Sequence, residues 1–124
     1  MTSTKLLSQW KVAMSRTDLL ELIKAIRAVE SSNGVTSRNE LQITPICIAD
    51  VNRLYRTHYT FADALDRVKS EEIAVLYLSY WSNKAAVPKT AELYARIWNG
   101  GPNGWKKQST LSYWHKVRKH LRRM

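Results

Sequence analysis

The chain has 124 residues, with 20 Lys and Arg against 10 Asp and Glu, a formal charge of +10 and 44% hydrophobic residues. That is material for one core and not for two, and the balance of apolar and charged residues excludes a disordered or fibrous chain. A lone cysteine excludes an intrachain disulfide, and no apolar run approaches the ~20 residues that a membrane helix needs.

The charge is unevenly placed. Glu92 is the last acidic residue, and eight of the 20 cations follow it. A basic C-terminal quarter gathers polyanions, whether nucleic acid, anionic lipid or anionic wall polymers, without choosing among them. The N-terminal stretch lacks the uninterrupted apolar segment of a signal peptide, because Glu21 and Lys24 interrupt the first leucine-rich run. Export would then need another route.

Helical spacing recurs along the chain while strand-like alternation is weak, which predicts an all-α protein. A first short helix is expected from Thr4 to Met14, with Leu6, Trp10, Ala13 and Met14 on one side, so that residues 1–15 form a helical extension of one 124-residue domain. The next helix opens near Ser15 or Thr17, carries Leu19, Leu22, Ile23, Ile26 and Val29 on one face, and stops before Asn33-Gly34, both tolerant of positive φ. Thr44-Pro45 reads as an N-cap and first helical residue of a segment through Ile48, Val51 and Leu54. Thr60 and Asp63 have capping-box spacing and should start a short helix. Ser70, Glu71 and Glu72 place acid in or near the first turn of the next helix, whose stripe is Ile73, Leu76, Tyr77 and Tyr80. Pro88 breaks it. Thr90 caps a helix through Leu93, Tyr94, Ile97 and Trp98, which ends at Gly100-Gly101-Pro102. Ser109 or Thr110 opens the last, with Leu111, Trp114, Val117 and Leu121 inward.

Glu30 lies four residues after Ile26 and seven after Ile23, so it falls on the apolar face of its helix, at the C-terminal end. Burial and the partial negative charge of a helix C-terminus both disfavour a carboxylate, so both push its pKa up. A carboxyl that stays protonated near neutrality is what glycoside cleavage needs, since the leaving oxygen must receive a proton. Periodicity equally allows a rim glutamate that reaches solvent.

The order of motifs around Glu30 adds a second argument. Ala28-Val29-Glu30-Ser31 ends a helix, Leu41-Gln42-Ile43-Thr44-Pro45 follows a short loop, and Trp98-Asn99-Gly100-Gly101-Pro102-Asn103-Gly104 comes later. This resembles the lysozyme-like superfamily, in particular soluble lytic transglycosylases and goose-type lysozymes in a small phage-type format. There a helix ends in Glu-Ser, a Gln-Ile-x-Pro segment follows, and an Asn-Ala-Gly-Pro turn comes later. Ser109-Thr110-Leu111-Ser112-Tyr113 resembles the family's Glu-Thr-x-x-Tyr helix start. The resemblance runs over roughly residues 18 to 120.

It implies a lysozyme-like helical domain that cleaves the β-1,4 bond between N-acetylmuramic acid and N-acetylglucosamine, with Glu30 as general acid and then base. It implies that Gln42 and Thr44 line the substrate cleft and that Asn99 holds the turn at its wall. Trp98 stands where the family usually has a tyrosine that hydrogen-bonds near the acid, and an indole donates but cannot accept. A hydrolase would need a second carboxylate, for which Glu40 and Asp50 are the candidates. A lytic transglycosylase needs none, because the substrate's own C6 hydroxyl closes a 1,6-anhydro ring. The one-carboxylate scheme is the favoured one.

Trp10, Tyr77, Trp81 and Trp114 are expected to pack between helices, Trp98 and Trp105, which flank the glycine-rich turn, are the better cleft candidates, and Tyr55 and Tyr59 are secondary candidates for its other wall. Cys47, between Ile46 and Ile48, should be a buried thiol. His58, His115 and His120 are too scattered for a metal site, and no nucleotide fingerprint is present, so neither metal nor cofactor is expected. The expected partner is the peptidoglycan strand, met by a monomer without a transmembrane segment. A phage virion, a host cytoplasm with holin-type release, or a cell wall reached by another route suits that format. Two other readings compete: a helical module that binds nucleic acid through Lys116, Arg118, Lys119, Arg122 and Arg123, and a lysozyme-like fold without activity.

Overall fold

Ser15 begins the first described helix, near where the sequence places it: its hydroxyl accepts from the Asp18 amide at 3.1 Å, and α1 runs Arg16–Ser31. The structure is a computed structural model that describes residues 14–31 and 38–123, with the backbone alone at 122 and 123. The expected helix over Thr4 to Met14, with Trp10, lies outside the described residues except for Met14, as does the Asn33-Gly34 stop.

Four more helices follow: α2 over Pro45–Tyr55, α3 over Arg67–Ala85, α4 over Ala91–Gly100 and α5 over Leu111–Arg123. Short 3-10 turns cover Phe61–Leu65, Gly104–Lys106 and Gln108–Thr110, and no strand occurs among the described residues. The fold is all-α, as the periodicity requires.

Most helix starts are set by local chemistry. The Thr44 hydroxyl accepts from the Cys47 amide at 3.1 Å with Pro45 first in the helix, and the Thr90 hydroxyl accepts from Leu93 at 3.2 Å. The Thr60–Asp63 capping box forms as well, although it opens a 3-10 turn and not an α-helix. One start differs from expectation. α3 begins a turn before Ser70, because Asp66 caps it by accepting from the Lys69 amide at 2.8 Å.

α1 is the axis of the core and packs against α3, α4 and α5, while α2 packs on α3. Leu22, Ile23 and Ile26 on its inner face are at most 1% exposed, and each such side chain contributes about 1.5–3 kcal/mol of burial. They meet Ile73 and Leu78 of α3, Ile97 of α4 and Trp114, Val117 and Leu121 of α5 in one cluster. Leu111, expected inward, is only half-buried; Tyr113 takes a buried place instead. The result carries the last turn of α1 to the surface with its apolar face still covered.

Candidate active site

Where α1 runs out, its end, the loop before α2, the middle of α3 and the end of α4 enclose a cavity of about 250 Å³. Glu30 enters it from α1, with Gln42, Ile43 and Thr44 from the loop and Cys47 from α2. Tyr77 of α3 and Trp98 and Asn99 of α4 complete the wall. The cavity thus brings together Glu30, Gln42, Thr44, Trp98 and Asn99, which the sequence set far apart.

The loop is built around Asn39, which is 8% exposed. Its side chain spans the backbone of Ile43, accepting from the amide at 2.9 Å and donating to the carbonyl at 2.8 Å. Its own carbonyl receives the Gln42 amide at 3.1 Å and the Gln42 side-chain amide at 2.9 Å. Gln42 is held at φ 56°, a left-handed conformation that costs a non-glycine residue on the order of 1 kcal/mol. These bonds, with Leu41 and Ile43 buried on either side, hold it there.

Trp98 does not bond the acid. Its indole N–H donates to the Leu41 carbonyl at 3.2 Å, which ties α4 to the loop, and its ring meets Tyr77 edge to face at 5.8 Å. The phenol at the acid comes from α5: the Tyr113 hydroxyl donates to Glu30 Oε2 at 2.7 Å. The resemblance leads one to expect a phenol near Glu30 from position 98; the phenol that lies there is that of Tyr113. Tyr113 was visible only as part of the Ser109–Tyr113 stretch, where nothing marked it as reaching Glu30.

Glu30 is half-buried, and its carboxyl is held above the ordinary glutamate range chiefly by desolvation. The Tyr113 hydrogen bond and the nearby Lys116 ammonium pull the other way. Tyr113 itself is pushed up by burial and by the carboxylate beside it, so the phenol keeps its proton and stays a donor. Cys47 is 9% exposed and its thiol is pushed up to about 12 by burial and by Asp50, which leaves it a neutral wall and not a nucleophile.

The two other carboxylates proposed for the chemistry point elsewhere. Glu40 Oε1 is 2.9 Å from Arg67 Nη2 and 3.4 Å from Arg27 Nε. Asp50 accepts the Trp81 indole N–H at 3.0 Å and pairs with Arg53. All ten acidic residues lie among the described residues, and of these Glu30 is the one that lines the cavity. A larger hollow of about 320 Å³ contains Glu92, but that carboxylate is bonded to Arg96 at 2.7 Å. Its size does not make it the place for acid chemistry.

Of the aromatic residues expected between helices, Trp114 is 2% exposed, and Tyr77 and Trp81 are half-buried and pack against the core, Tyr77 also lining the cavity. Trp105 lines two other hollows, and Tyr55 and Tyr59 are bonded to the Leu76 carbonyl and Glu72, away from Glu30. No cluster of His, Cys, Asp or Glu fit to hold a metal occurs among the described residues.

Comparison with known proteins finds lysozymes over part of the chain. The chain is 46% identical over 41 residues to a lysozyme of Magallana gigas, 42% over 43 residues to one of Meretrix lusoria, and 40% over 42 residues to one of Ostrea edulis. Those stretches cover 33%, 35% and 34% of this chain, and the chain spans about a third of the length of each curated relative it matches. No protein-family model and no solved structure matches it. Over that third, the chain is similar to lysozymes.

Proposed function

We propose that this protein is a peptidoglycan-cleaving glycosidase in which Glu30 is the acid and base. The observation that carries the reading is a half-buried carboxyl with a raised pKa, hydrogen-bonded by Tyr113, alone of its kind in a cavity that Gln42, Thr44, Trp98 and Asn99 also line. The likeness to lysozymes supports it from outside the geometry.

With Tyr113 donating to Oε2, Oε1 carries the proton and hands it to the bridging oxygen between N-acetylmuramic acid and N-acetylglucosamine. The bond from C1 of the muramic sugar to that oxygen breaks, and the oxocarbenium-like charge at C1 sits over the new carboxylate. Tyr113 strengthens its bond as that charge forms, which is where catalysis gains. The exposed amide of Gln42 offers a donor and acceptor to the sugar's acetamido group, and the Trp98 and Tyr77 rings offer apolar faces to the pyranose.

The absence of a second carboxylate among the described residues of the cavity favours a lytic transglycosylase of the soluble type. There the C6 hydroxyl of the muramic sugar attacks C1 and returns its proton to Glu30, so no water is consumed. The name lysozyme, borne by all three relatives, favours hydrolysis as the second reading, with a water molecule in place of the C6 hydroxyl. Mass spectrometry of a peptidoglycan digest separates them: anhydro ends, lighter by one water, are expected. Reducing ends would turn the assignment to a muramidase, and an intact wall would sink both.

The phenol gives a further expected result. Removing the Tyr113 hydroxyl (Tyr113→Phe) takes away a contact that lowers the pKa of Glu30, so the alkaline limb of the pH–rate profile moves to higher pH. It also removes a hydrogen bond to the developing carboxylate, and the rate at the optimum falls about tenfold. A limb that stays in place, measured by wall clearing across pH, would count against the assignment.

A further inference from the structure

Arg27 lies on α1 one turn before Glu30, and no step of this reaction uses it. At 8% exposed it is the one buried cation among the described residues. A guanidinium leaves water only where anions offset the lost hydration, and two carboxylates meet it here. Nη1 donates to Glu71 Oε2 at 3.0 Å, and Nε stands 3.4 Å from Glu40 Oε1, which Arg67 Nη2 also holds at 2.9 Å. Arg67 and Glu71 are four residues apart on α3 and share one face of that helix. The side chains of Glu71, Arg27, Glu40 and Arg67 thus alternate in charge along a line that starts and ends on α3. Between its ends the line takes in α1 and the loop before α2.

The place of that loop matters because Gln42 stands two residues after Glu40. The bonds that Asn39 makes to Gln42 and Ile43 run within the loop, so they fix its shape and not its position. Position comes from outside. The Trp98 indole ties the Leu41 carbonyl to α4, and the Glu40 carboxylate ties the loop to α1 and α3. Arg27 serves both sides of the gap, since its carbonyl accepts the Ser31 hydroxyl at 2.7 Å and so closes the turn that carries Glu30. Its Nε and Nη2 make no hydrogen bond among the described residues, which leaves the guanidinium with donors to spare and an attraction for Glu40 that its other contacts do not saturate.

We infer that Arg27 and Glu40 are positioning residues for glycan cleavage, whose ion pair, anchored on α3 by Glu71 and Arg67, sets the separation of Glu30 and Gln42. The inference rests on the glycan-cleaving reading, in which Gln42 meets the acetamido group while Glu30 meets the bridging oxygen. Its signature is in binding, because Glu30 keeps Tyr113 and its place on α1 when Glu40 changes.

Glu40 is only half-buried, so Glu40→Gln should fold. On soluble glycan fragments its KM should rise about tenfold with kcat little changed, the effect of one misplaced hydrogen-bonding side chain, and the alkaline limb of the pH–rate profile should stay in place. Arg27→Lys, which keeps the charge and loses the fork, should move KM in the same direction. Gln42→Ala raises KM by itself, and Glu40→Gln should add nothing in that background. A fall in kcat as large as the rise in KM, or additive effects in the double variant, overturns the assignment and leaves an ion pair that serves stability alone. A second measurement needs no catalysis: amide hydrogen exchange at Gln42 and Ile43, both protected by Asn39, compared with Ile26 in the core. Exchange in Glu40→Gln should quicken in the loop and not at Ile26. A wild type that cleaves glycan, with loop exchange and KM both unmoved by the substitution, overturns the tie and leaves the enzyme. Loop exchange that quickens in a protein that cleaves nothing upholds the tie and removes the glycosidase.

Discussion

Glu30→Gln is expected to lower the rate of glycan cleavage by about 10²–10⁴-fold, the contribution of a well-placed general acid, while making the protein more stable at neutral pH. The two effects have one cause. Gln fills the same space and keeps a partner for the Tyr113 hydroxyl, but it has no proton to give and no charge to desolvate. In the unfolded chain a glutamate titrates near its ordinary value, about 4.3, whereas in the native protein burial holds Glu30 above that. Below the unfolded pKa the carboxyl is neutral in both states, and its contribution to stability is whole. As pH rises through the raised native pKa that contribution is lost, because the native state must hold a desolvated carboxylate. The variant is freed from this loss. Its melting temperature should match the wild type near pH 3 and exceed it at pH 7 by about 4 °C, for a gain on the order of 1 kcal/mol. Thermal melts followed by circular dichroism across that range check the stability half, and wall clearing checks the other. A variant that still clears walls removes Glu30 from the chemistry.

Gly104→Ala should destabilise the protein by about 1–3 kcal/mol and lower its melting temperature by roughly 5–15 °C. A Cβ at this position would stand 2.1 Å from the Arg96 carbonyl oxygen and 3.0 Å from the Arg96 carbonyl carbon, both backbone atoms of α4 that a rotamer change does not move. The turn after α4 has to shift as a unit, and it is tightly fastened. Arg96 Nε donates to the Thr110 hydroxyl at 2.8 Å, Arg96 Nη2 to the Lys107 carbonyl at 3.0 Å, and Lys107 Nζ to the Gly100 carbonyl at 2.8 Å. The buried Thr110 hydroxyl in turn lies 2.8 Å from the Gly104 carbonyl oxygen. Movement of Gly104 loosens this clip at the end of α4, where Trp98 and Asn99 face the cavity, so activity should fall with stability. Paired melting and activity measurements check both. A melting temperature within a degree of the wild type would show that the contact is slack.

Two of the site residues owe their positions to structure that the sequence already spells out. Thr44 caps α2 because a hydroxyl before proline satisfies a free amide, and Asn99 sits in the last turn of α4, which closes at Gly100 and Gly101. Glu30 was readable as an acid on an apolar face, since spacing of three and four places it beside Ile23 and Ile26 whatever the fold. Gln42 had no such rule to reveal it. Its left-handed backbone depends on Asn39, three residues before, turning a side chain back onto Ile43. α3 starts earlier than the acidic stretch at Ser70–Glu72 suggests, because Asp66, a residue type that caps well, takes the Lys69 amide.

The sequence by itself determined the helices, because their caps, breakers and apolar stripes act over three or four residues, and it determined that one glutamate would end a helix half in the core. Tertiary structure decided what surrounds that glutamate. The hydroxyl on its carboxyl comes from Tyr113, 83 positions away, and no local rule links the two. Ion pairing with Arg27 and Arg67, along with the hold of Trp81 and Arg53, keeps Glu40 and Asp50 outside the cavity. A carboxylate's role depends on its desolvation and on the charges within a few ångströms, and both are fixed only when helices distant in sequence pack together.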